Sequence, residues 1–110
     1  MYLSKAEKLL IERRRRCETQ ADAARRYGTP VAKYERWERS LEHCPFQFLS
    51  ISPTDYEKCY IYRKRRNFSQ AQVAKELGRS RYWVILMEQG IVPCQELNKF
   101  WSGIEQYQLS

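Results

Sequence analysis

The apolar positions of this chain recur at the three- and four-residue spacing of short amphipathic helices, and no stretch alternates convincingly like a strand. The pattern predicts an all-α fold. Ser4-Lys5-Ala6-Glu7 is a capping box that opens a first helix over about Lys5–Arg16. Thr19, with Asp22 three residues on, caps a second helix, in which Ala21, Ala24 and Tyr27 share one face. Gly28 suits the left-handed residue that ends it, and Pro30 suits the first turn of a third helix over about Val31–Arg39. Tyr34 and Trp37 form the apolar face of that helix. From His43 to Pro53 the chain carries Phe46, Phe48, Leu49 and Ile51, which reads as a packed connection with one short helix after Pro45. Thr54 to Glu57 is a second capping box, and its helix runs to about Arg66. Ser69 caps the next helix, with Val73, Ala74 and Leu77 inward, and Gly78 makes the turn. Ser80 caps a helix over Arg81–Gln89 with Val84 and Met87 inward, closed by Gly90. A last helix, Cys94 to about Tyr107, carries a stripe of Leu97, Phe100, Trp101, Ile104 and Tyr107, which is expected to cover the second core or, alternatively, to make a dimer contact with part of its length.

The pattern repeats. Shifted by fifty positions, the chain matches itself without a gap: Glu7 falls on Glu57, Ile11 on Ile61, Arg13 on Arg63, Gln20 on Gln70, Ala24 on Ala74, Gly28 on Gly78 and Glu38 on Glu88. Two copies are too few for a solenoid. The expectation is a pseudo-symmetric pair of small units, residues 1–52 and residues 53–110, the second including the C-terminal helix.

Charge narrows the function classes. Twenty Lys and Arg against thirteen acids leave a net charge of +7, which favours polyanions near the surface. Arg13–Arg16 and Arg63–Arg66 are basic blocks at equivalent places in the repeat. Cysteines 17, 44, 59 and 94 lack the short spacing of a zinc site and are expected as reduced thiols, with no metal bound. One histidine, His43, and no glycine-rich phosphate loop leave no catalytic set, so no enzyme and no cofactor are expected. Glu7, Glu12 and Glu57 read as caps and surface charges. No signal peptide and no membrane span are expected, which points to the cytoplasm.

Both copies resemble the Cro/C1-type (XRE-like) helix-turn-helix family. The first supplies Arg13, Thr19-Gln20, Ala24, Gly28 and Trp37-Glu38-Arg39-Ser40; the second supplies Arg63, Ser69-Gln70, Ala74, Gly78 and Met87-Glu88-Gln89-Gly90. The resemblance implies two tandem helix-turn-helix units, lambda-repressor-like, in which Arg13 pairs with Glu38 and Arg63 with Glu88. It implies a sequence-specific regulator of transcription on double-stranded DNA, a repressor, of phage or mobile-element type and nucleoid-associated when bound. Carried over by position, Thr19, Gln20, Ser69 and Gln70 meet the DNA at the start of the second helix, where the two glutamines hold phosphate. In the first unit Val31, Ala32 and Arg36 face bases, Lys33 lies beside them and Arg39 touches phosphate. In the second unit Arg79, Ser80, Arg81 and Tyr82 occupy the DNA-facing places. The family prefers apolar residues where Glu12 and Glu18 stand, whereas Tyr62 and Phe68 fit.

Two readings stay open for the second unit. Tyr82, Trp83, Val84, Ile85, Leu86 and Met87 make its third helix apolar almost all round, and such a helix is usually buried. Trp83, Ile85 and Leu86, with Phe100 and Trp101, then make a protein contact, either in a homodimer or with another protein. On that alternative the chain is an interaction or inhibitor protein with DNA binding reduced or absent. Otherwise Tyr82 and Trp83 still pack against sugar and thymine methyl. No small-molecule ligand is expected in either case.

Overall fold

The computed structural model describes residues 1–46 and 51–109, with residues 105–109 as backbone only. Among them stand seven helices and no strand: α1 (Lys5–Arg15), α2 (Gln20–Tyr27), α3 (Val31–Glu38), α4 (Asp55–Arg65), α5 (Gln70–Leu77), α6 (Arg81–Glu88) and α7 (Gln95–Leu109). The chain divides into two compact units, Met1–Ser52 and Pro53–Ser110. Phe48 and Leu49 of the expected short helix, and the side chain of Tyr107, lie outside the described residues.

Local chemistry sets the helix starts. Ser4, Thr19, Thr54 and Ser69 each accept from the backbone amide three residues on, while Glu7, Asp22, Glu57 and Gln72 reach back to the cap amide. Each reciprocal pair satisfies two amides that the helix leaves open. Ser80 caps α6 by accepting from the Trp83 amide. Pro30 is the cap of α3 rather than part of its first turn; its extended backbone (ψ 148°) precedes the first helical residue. Arg16, Arg39, Arg66 and Gln89 are C-caps, so four helices stop one residue short of the expected ends. The turns α2–α3 and α5–α6 hinge on Gly28 and Gly78, both left-handed at φ 67°, a conformation glycine enters without steric cost.

In the first unit Leu9, Ala23, Ala24, Tyr34, Trp37 and Cys44 make the core. Ala21 does not face inward as expected. It is exposed, and Ala23 takes the inward place, because the helix turns a second small residue toward α3. Tyr27 lies at the core margin, 6.1 Å from the rings of Tyr34 and Trp37, and Phe46 covers Trp37 at 5.9 Å.

The second core holds Cys59, Val73, Ala74, Val84, Met87, Leu97 and Trp101. Here α6 offers Val84 and Met87 where α3 offers Tyr34 and Trp37, and the missing volume comes from α7. The Trp101 ring sits against Tyr62 and Phe68, at 6.4 and 5.8 Å. At the places of Tyr62 and Phe68 the first unit carries Glu12 and Glu18, and it closes that flank with charge. Arg26 binds both carboxylates, at 2.8 and 2.9 Å, and the Tyr27 hydroxyl donates to Glu12 at 2.6 Å. Glu12 is therefore more than the surface charge expected.

Candidate nucleic-acid interface

Each unit is braced by one buried carboxylate. Arg13 Nε donates to Glu38 Oε2 at 2.7 Å and its Nη2 to Oε1 at 3.3 Å. Arg63 and Glu88 repeat the geometry at 2.7 and 3.1 Å. A fork-on-fork pair of this kind fixes orientation as well as distance. The same arginines hold the turn before the next helix, donating through Nη1 to the carbonyls of Glu18 and Phe68. The pairs that the resemblance implied are thus present, and each ties the first helix of its unit to the third.

Gln20 and Gln70 join this brace. Their amides donate to Glu38 and Glu88 at 3.1 and 3.2 Å. Sequence reasoning placed both on phosphate and missed the bond they make inside the protein, which spans the same eighteen positions in each unit. One N–H of each amide is engaged, and the half-buried side chain locks the start of the second helix to the end of the third.

With the inner side braced, the outer side of α3 is open. Tyr34, Trp37 and Glu38 face in, while Val31, Ala32, Lys33, Arg36 and Arg39 are exposed. Arg36 has a loose ion pair with Glu42 at 3.7 Å, both side chains more than a third exposed; such a pair is screened and holds Arg36 weakly. Thr19 is exposed at the start of α2. The face therefore combines long cationic donors with two small apolar side chains at a helix N-terminus.

In the second unit Ser69, Arg79, Ser80, Arg81 and Tyr82 are exposed, Tyr82 at 68%. Arg79 is partly engaged: its guanidinium meets Glu96 at 2.6 Å and lies over the Trp83 ring at 5.6 Å. The hydrogen bonds from Arg79 hold the Glu96 carboxyl below its usual range.

The expected protein-contact set behaves differently. Trp83, Ile85, Leu86 and Phe100 are half-buried, and Trp101 is 1% exposed in the core. Trp101 is thus a core residue, as expected of a stripe that covers the second core, and the alternative that made it a contact residue is corrected: α6 offers the smaller Val84 and Met87, and the indole packs against the core they share. The expectation of an α6 that is apolar almost all round, and so usually buried, is corrected too: its N-terminal turn is exposed and polar at Arg81 and Tyr82, and burial is complete only at Val84, Met87 and Glu88.

Among the described residues no three His, Cys, Asp or Glu side chains converge to hold a metal ion, and no helix is long and apolar enough to cross a membrane. The cysteines are free; Cys59 Sγ donates to Asn98 Oδ1 at 3.1 Å, and Asn98 Nδ2 lies 3.6 Å from Cys94 Sγ. No protein-family model, curated protein or solved structure matches the chain.

Proposed function

We propose that the chain is a sequence-specific double-stranded DNA-binding protein, a transcriptional repressor built as two tandem helix-turn-helix units of lambda-repressor-like type. The observation that carries this reading is α3. A buried carboxylate and two aromatic rings hold its inner side, and its outer side shows Val31, Ala32, Lys33, Arg36 and Arg39. An eight-residue helix so held fits the major groove, with its N-terminal residues toward base edges.

The chemistry follows from groove edges. A guanidinium donates two parallel hydrogen bonds to the O6 and N7 of guanine, which suits Arg36. Val31 and Ala32 can meet a thymine methyl without leaving a polar group unpaired. Lys33 and Arg39 suit phosphate, where contact positions the helix but reads no base. The start of α2 contributes exposed Thr19 and backbone amides at a helix N-terminus, which favour a phosphate. The net charge of +7 adds a long-range attraction to the duplex.

Selection of bound duplexes from a random pool at near-physiological salt tests the reading. An enriched motif supports it, and a folded protein that enriches no sequence removes it. Within the motif, Arg36→Ala is expected to cost about 1–3 kcal/mol and to relax the choice at one base. Unchanged affinity and preference would take Arg36 out of the reading set.

A further inference from the structure

The two units agree where the fold needs them to agree. They share the arginine–carboxylate fork at 2.7 Å, the bridging glutamine and the left-handed glycine. They also share left-handed backbone at Cys17 and Asn67, and at Ser40 and Gly90. Between α3 and α6, by contrast, only Glu38 and Glu88 coincide among eight aligned positions. The places exposed on α3 differ in kind from their α6 counterparts: Val31 faces Arg81 in the alignment, Ala32 faces Tyr82, and cationic Arg36 faces apolar, half-buried Leu86. Exposure alone does not explain the difference, since exposed Ala21 and Ala71 are identical in the two copies.

Exposure does discriminate between the uses of α6. Arg79, Ser80, Arg81 and Tyr82, which suit DNA, are all exposed. Of the side chains that suit a protein contact, Trp83, Ile85, Leu86 and Phe100 are half-buried, and Trp101 is closed off in the core. From this contrast, and resting on the DNA-binding function proposed above, we infer that α6 also reads DNA and that the target is an asymmetric duplex of two unlike blocks, one for each unit of a single chain.

The block under α3 takes guanine at Arg36 and thymine methyls at Val31 and Ala32. The block under α6 takes guanine at Arg81 and a thymine methyl or sugar against the Tyr82 ring. A twofold dimer of identical readers requires a palindrome. One chain with two unlike readers requires none.

The test uses the full chain, a random duplex pool and two exposed-surface variants, Arg36→Ala and Arg81→Ala/Tyr82→Ala. Unchanged thermal midpoints show that both variants still fold. The expected result is a motif of two unrelated blocks at fixed spacing, bound by one chain per duplex in native mass spectrometry. Each variant should degrade one block only, with roughly 5- to 150-fold weaker binding to the wild-type site. A palindromic motif, or an Arg81→Ala/Tyr82→Ala variant that selects the same motif as wild type, overturns the inference and leaves DNA binding by α3 standing. A pool with no enriched sequence overturns both proposals.

Discussion

At the scale of single residues, the buried carboxylates govern each unit. Glu88 is 1% exposed and its partner Arg63 9%, while Glu38 and Arg13 are at 3% and 21%. Removing one partner strands the other charge away from water. Arg63→Ala should therefore lower stability by about 3–5 kcal/mol, and Arg13→Ala by less, because solvent reaches Glu38 through the more open arginine. Urea midpoints of the two variants check the order; equal losses would contradict it. Two other groups, buried Cys59 and half-buried Tyr27, make stability fall in alkali. Burial, with a smaller electrostatic contribution from neighbouring Cys94, pushes the Cys59 thiol from 9.0 up to about 12. Burial and the hydrogen bond to Glu12 push the Tyr27 hydroxyl from 10.0 to about 12. Both groups keep protons in the folded state that the unfolded chain gives up earlier. Their contribution is whole below pH 9.0 and is lost as pH rises from there to about 12. Urea titrations across that window should show the loss, and Cys59→Ala should lessen its slope.

At the scale of elements, the end of each third helix shows how a repeat adjusts its packing. Gly90 is left-handed at φ 74°, and a Cβ added there would lie 2.7 Å from the Tyr56 ring. The equivalent residues of the first unit are Ser40, also left-handed at φ 59°, and Ala6. A large helix residue thus goes with a residue after the C-cap that lacks a side chain, and a small helix residue with one that has a side chain. Gly78 meets nothing within 4 Å, so Gly78→Ala should cost only the left-handed penalty of about 1–2 kcal/mol. Gly90→Ala should cost more, and Tyr56→Ala should remove the excess. A double-mutant cycle is expected to give a coupling of about 0.5–3 kcal/mol, and strict additivity would show that the ring moves aside freely. The same exchange of volume explains why the caps, the turns and the inward positions Val73, Ala74, Val84 and Met87 were legible while the choice between core and contact for Trp101 was not. Caps and glycines act within a few residues, whereas the place of Trp101 depends on Val84 and Met87 being small on another helix.

At the scale of the molecule, the charge of +7 bears on how the proposed complex is held. Phosphate contacts release counterions, so binding should weaken linearly in log salt. Arg39→Ala should weaken all duplexes alike and reduce that salt slope by about 1, whereas Arg36→Ala should change sequence preference more than slope. Titrations at several salt concentrations separate the two roles, and an unchanged slope for Arg39→Ala would place that residue off the phosphates. The all-helical class, the caps, the left-handed glycines and the fifty-residue repeat were determined by the sequence alone, because they follow from residue type and short-range spacing. Tertiary structure decided what depends on neighbours far along the chain. It drew Gln20 and Gln70 into the carboxylate brace, turned Ala23 inward in place of Ala21, and took Trp101 into the core. It also left Tyr82 in solvent while half-burying Trp83. A side chain's chemistry is written in its own residue, but its exposure is set by whichever other helices come to lie against it.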